Sequence, residues 1–155
     1  MKKIAVIVLT IIFAAGCSSK KTAQATNTGT KSATAALSFE YEAMTRGAYK
    51  KVVVTQESIV TIKDREIKDV VSKAITKGDW DKLAAAAAKL DLDGLETLKA
   101  PSNKNHADAA LAANLKVMKD GKTYSSSTFD HGNPPAEIAP LVMRIIAMSD
   151  LKAKE

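Results

Sequence analysis

Residues 37–63 read LSFEYEAMTRGAYKKVVVTQESIVTIK, and this stretch decides the fold. Leu37, Phe39, Tyr41 and Ala43 alternate with Ser38, Glu40, Glu42 and Met44, which is the period of a strand with one buried face. Arg46-Gly47 marks a turn, and the β-branched run from Tyr49 to Thr55 reads as a second strand. Gln56-Glu57 is a two-residue turn into a third strand, Ser58 to Lys63, with Val60 and Ile62 on one face. Connections this short exclude the crossovers that parallel strands need, so the three form an antiparallel meander.

Working outward, residues 65–75 stay open between helix and loop. Ile67, Val70, Val71, Ala74 and Ile75 have helical spacing, yet the stretch is heavily β-branched and Gly78 follows. The next segment is clean. Thr76 and Asp79 resemble a capping box, and Trp80, Leu83, Ala84 and Ala87 recur on one helical face, with Trp80 expected in the core. The alanines 84–88 favour helix and let it lie close on a sheet. After a loop around Asp93-Gly94 and Pro101, the residues Leu111, Ala113, Leu115 and Val117 alternate again. Asp120-Gly121 is a strong hairpin signal leading into residues 123–129. Asn133 followed by Pro134 signals a helix start, while Pro140 puts the regular helix, with Ile138, Leu141, Val142, Ile145 and Ile146 on its apolar face, near that proline. The expectation is an α+β domain: an antiparallel sheet of about five strands in the order βββ–α–ββ–α, both helices packed on one face.

Upstream of this domain the chain changes character. Lys2 and Lys3 precede an apolar run of 13 residues, Ile4 to Gly16, interrupted only by Thr10 and ending at the single cysteine, Cys17. A membrane-spanning helix needs about 20 apolar residues, so the run reads as a secretory signal over residues 1–16. Ala14-Ala15-Gly16-Cys17 resembles the bacterial lipobox, although leucine is commoner than Ala14 at its position. That resemblance implies a diacylglycerol on the Cys17 sulfur and an acylated N-terminus, and two or more acyl chains give stable anchoring. Ser18 rather than Asp after the cysteine favours, in diderm bacteria, the periplasmic face of the outer membrane. Residues 17–36 then form the lipidated cysteine and its tether. They contain no apolar side chain larger than alanine after Cys17 and are expected to be disordered. The tether has a reach of roughly 24 Å. The globular domain spans residues 37–151.

Loss of Lys2 and Lys3 with the signal leaves 21 basic against 17 acidic residues, a net charge of +4. So small an excess gives no reason to expect nucleic acid as a partner. With one cysteine there is no internal disulfide, so stability rests on the core.

The strings Phe39-Glu40-Tyr41-Glu42-Ala43 through Arg46-Gly47-Ala48-Tyr49-Lys50-Lys51, Asp79-Trp80 through Leu98-Lys99-Ala100-Pro101, and above all Asp130-His131-Gly132-Asn133-Pro134-Pro135 lie within residues 39–150. In them the chain resembles small, functionally uncharacterised lipoproteins of Bacteroidota. The resemblance implies a lipid-anchored envelope protein with an α+β domain. It brings no activity and no catalytic residue.

Asp130-His131 is the sharpest candidate for chemistry. With His106 and Asp108 it could supply oxygen and nitrogen ligands to zinc, but neighbours in a strand diverge unless the chain turns. The structural alternative has Asp130 and Asn133 accepting backbone N–H bonds at a turn and helix start, with His131 fixing the loop. Asp91, Asp93 and Gly94 match the middle of a calcium loop, but Lys89 and Ala100 fall where its end ligands belong. Ser125, Ser126 and Ser127 lack a nucleophile elbow. Tyr41, Tyr49 and Tyr124 could share one sheet face and bind a partner there.

These readings favour a non-catalytic binding or accessory module, with no cofactor and no enzyme activity. Its partners would be the membrane, through Cys17, and an envelope protein. Two alternatives stay open: a small metal-assisted hydrolase centred on His131 and His106, and an inhibitor of a periplasmic enzyme acting through the loop Pro101 to Asp108.

Overall fold

In the computed structural model, which describes residues 37–151, the meander forms as its alternation requires. Strand β1 (Ser38–Met44) pairs antiparallel with β2 (Tyr49–Val54), and β2 with β3 (Ser58–Ile62). Strands β4 (Val70–Ala74), β5 (Ala112–Lys119), β6 (Lys122–Ser125) and β7 (Phe129–Asp130) complete a seven-stranded sheet. Its order is β4-β3-β2-β1-β5-β6, with β7 also paired to β5, and every pairing is antiparallel. Helices α1 (Lys77–Ala87) and α2 (Ala139–Met148) follow β4 and β7, and short 3-10 turns occupy Leu95–Thr97 and Lys104–Ala107. The cysteine Cys17, the signal and the tether lie outside the described residues. No helix among the described residues is long and apolar enough to cross a membrane.

The α+β class and the antiparallel sheet agree with the expectation, but the sheet has two strands more than the five expected. The first is β4, which replaces the helix or loop of residues 65–75. Asp64 turns the chain there: its carboxylate accepts the N–H groups of Glu66 at 2.8 Å and Asp69 at 2.5 Å, and Lys63 N–H closes onto Asp69 O. The returning chain sets Val70 against Ile62 and Val71 against Thr61. The helical spacing was misleading because Ile67 and Val70 are 64% and 43% exposed and line no apolar stripe. The second is β7, separated from β6 by a break in the ladder. At the break Ser126 N–H donates to Leu115 O, and the Ser126 hydroxyl accepts Leu115 N–H.

Period-2 alternation buries one sheet face. Phe39, Tyr41, Val52, Val54, Leu115 and Val117 are fully buried there, and they meet Trp80 and Leu83 of α1 and Leu141, Val142, Ile145 and Ile146 of α2. Phe39 and Trp80 pack with their rings tilted by 46° and their centroids 5.8 Å apart. Among the described residues these side chains form one contiguous cluster, so residues 39–151 hold a core of their own.

The local signals act as their chemistry dictates. Thr76 caps α1, its hydroxyl accepting Asp79 N–H and donating to the Asp79 carboxylate. Asp120 and Gly121 both take positive φ in the β5–β6 hairpin, the geometry of a type I′ turn. The regular helix α2 begins at Ala139, with Pro140 in its first turn, so Asn133-Pro134 opens a separate turn and not the helix.

Candidate functional site

Asp130 ends β7 and His131 follows it in the turn, where Gly132 adopts φ 80°. The two side chains therefore part, as alternation demands. Asp130 is buried and takes no part in the start of α2. One of its oxygens accepts the Ser102 hydroxyl at 2.5 Å and Lys104 N–H at 2.9 Å, and the other accepts Asn105 N–H at 2.7 Å. It thus satisfies the orphan N–H groups that open the Lys104–Ala107 turn. Burial alone would raise its pKa. The bonds from Ser102, Asn105 and Lys104 outweigh that and hold the carboxyl below its ordinary range. Asn133 braces the same loop, its side-chain amide donating to the Ser102 hydroxyl at 2.7 Å.

His131 faces elsewhere. Its Nδ1 lies 2.7 Å from the hydroxyl of the fully buried Tyr41, and Lys50 Nζ stands 3.5 Å from Nε2. An ammonium only donates, so a protonated imidazole would set two cations against each other. Burial first, then the Lys50 charge, keep the His131 pKa below its ordinary value. Burial also drives the Tyr41 phenol far upward, against the lowering effect of its hydrogen bond with the Gly132 backbone. The Tyr41 phenol therefore stays protonated, and burial and Lys50 both favour the neutral His131 ring.

The proposed zinc set is not assembled. His106 and Asp108 are exposed on and just after the Lys104–Ala107 turn, while Asp130 and His131 point into separate surroundings. Among the described residues no group of three or more His, Cys, Asp or Glu is placed to hold a metal ion. The tyrosines do not share a face either. Tyr41 and Tyr124 stand opposite Val52 and Val117, on the helix-covered side, whereas Tyr49 stands opposite Met44 on the other.

Lys50 leads from His131 to an open cavity of about 580 Å³ at the end of the sheet. The β1–β2 turn supplies Arg46 to its wall, the start of β2 supplies Tyr49, the β3–β4 loop supplies Asp64 and Arg65, and the segment after α2 supplies Asp150. Arg65 donates to Thr45 O at 2.8 Å and lies 5.8 Å from the centre of the Tyr49 ring, a cation–π distance. Burial, then a hydrogen bond to Glu42, push the Tyr49 phenol up to about 12, so it stays protonated. Sequence reading missed this cavity, because Arg46, Lys50 and Arg65 share no spacing and only the strand register brings them together.

Comparison with protein-family models, with curated proteins and with solved structures finds no match for this chain.

Proposed function

We propose that the chain is a lipoprotein anchored through Cys17, most simply at the periplasmic face of the outer membrane, whose domain is a non-catalytic binding or accessory module for an envelope partner. The observation that carries this reading is that Asp130 and His131, the best candidates for chemistry, spend their hydrogen bonds inside the domain. Asp130 pins one loop to β7, and His131 pins the β7 turn to β1. Bonds of this kind give both groups a structural task in the fold, which supports the non-catalytic reading. The apolar run, the lipobox-like string and the small polar residues after Cys17 support the address.

The test has two arms. Replacing Cys17 with Ala should move the protein from the membrane to the soluble or unprocessed fraction. Continued membrane fractionation of a processed Cys17→Ala chain would contradict the anchor. Crosslinking in living cells, followed by mass spectrometry, should recover a specific envelope protein. Recovery of zinc in stoichiometric amount, with loss of a hydrolytic activity in His131→Ala, would replace the binding reading by the hydrolase.

A further inference from the structure

Ile67 occupies the tip of the β3–β4 loop, 64% exposed, at φ 58°. A β-branched side chain in the left-handed region is strained. The strain is imposed by the Asp64 carboxylate, which takes the N–H groups of Glu66, Lys68 and Asp69 and leaves the loop little freedom. The fold gains no core contact from this isoleucine, and glycine would suit the backbone better. Val70, 43% exposed, stands at the base of the same loop.

At this pole of the domain the cavity wall beside the loop carries five cations, Arg46, Lys50, Lys63, Arg65 and Lys68, against three carboxylates, Asp64, Glu66 and Asp150. Its carboxylates are largely committed: Asp64 to backbone N–H groups, Glu66 to Lys68, and Asp150 to Lys63 and Lys73. Among the described residues Arg46, Lys50 and Arg65 have no carboxylate partner; of the loop acids Glu66 is paired with Lys68, while Asp64 and Asp69 have no ion pair. Arg65 is already oriented by Thr45 O and the Tyr49 ring, which lowers the entropy lost on binding.

We infer that this pole is a contact site for an anionic lipid surface, with Ile67 entering the interface and Arg46, Lys50 and Arg65 taking lipid phosphates. An exposed apolar tip beside unpaired cations combines the two attractions that hold a protein at a charged bilayer. A free phosphate would use the cations and leave Ile67 unexplained. The contact is separate from the anchor proposed at Cys17 and does not depend on it.

The test uses a chain starting at Ser32, which keeps every core residue named above and has no acylated cysteine. Co-sedimentation with vesicles of phosphatidylcholine, with and without phosphatidylglycerol, should show binding only to the anionic vesicles, weakening as salt rises. Arg46→Gln with Arg65→Gln should weaken that binding about fivefold for each charge removed. Ile67→Gly should weaken it roughly tenfold while leaving the melting temperature at or above the unsubstituted value, a combination that a structural role for Ile67 would not give. Binding that ignores Ile67→Gly, or equal binding to neutral vesicles, overturns the proposal. So does saturable binding of inorganic phosphate at Arg46 and Arg65 with no binding to vesicles, which would make a soluble phosphate the ligand. Because this chain lacks Cys17, none of these outcomes bears on the anchor.

Discussion

At the scale of single residues, His131 makes the domain sensitive to pH in a direction that follows from its neighbours. Burial and the Lys50 ammonium lower its folded pKa, while the unfolded chain restores the ordinary value near 6.5. Between those two values the unfolded state binds more protons than the folded state, so stability rises with pH. The contribution is fully present above about pH 6.5 and is lost as pH falls through the folded value. Urea unfolding between pH 5 and pH 8 should therefore show a loss of stability on the acid side that is smaller in His131→Gln. Equal slopes for the two proteins would mean that Lys50 and the buried surroundings do not disfavour the imidazolium. Asp130 works in the same sense at lower pH, where protonation would remove the acceptor that three donors share.

At the scale of elements, α1 shows how a local pattern becomes packing. Its apolar face places Trp80, 8% exposed, against Phe39 of β1. Trp80→Ala removes that contact and leaves a cavity beneath the helix, and should destabilise the domain by about 3–5 kcal/mol. Trp80 is the only tryptophan, so the loss must be read by circular dichroism and not by fluorescence. A change below about 1 kcal/mol would place the helix loosely on the sheet, contrary to its burial. Strands β1, β2, β3 and β5 bury one face and expose the other more fully, so alternation announces them. Edge strand β4 is largely exposed on both faces, so no alternation marks it, and its existence depends on the Asp64 turn and on pairing with β3. The site was legible only in part. Asp130 and His131 stood out by type, and their divergence followed from strand geometry. Their partners did not stand out, because Tyr41 lies 90 residues from His131 and Ser102 lies 28 from Asp130, with no periodicity to connect them.

At the scale of the whole domain, one core holds both layers together. The sheet contributes Phe39, Tyr41, Val54 and Leu115, the helices contribute Leu83, Leu141 and Ile145, and the connecting 3-10 turn contributes Leu95, all at most 1% exposed. Even the end of the described chain is tied in: Leu151 is buried, and Asp150 N–H donates to the Thr61 hydroxyl of β3. Among the described residues the buried side chains of sheet and helices form one cluster. Unfolding should therefore be a single cooperative transition, as is usual for domains of fewer than about 150 residues. Trp80 fluorescence reports the helix–sheet contact, whereas far-ultraviolet circular dichroism averages over sheet and helices. In urea the two should trace the same curve with one midpoint and one slope. A fluorescence change that precedes the dichroism would mean that α1 leaves the sheet first. The helix layer would then be a separable lid, and the sheet would have to retain its structure with Phe39 uncovered. The burial of Phe39 and its direct packing against Trp80 argue against that sequence of events, since uncovering so large an apolar surface removes the main attraction that holds the sheet together.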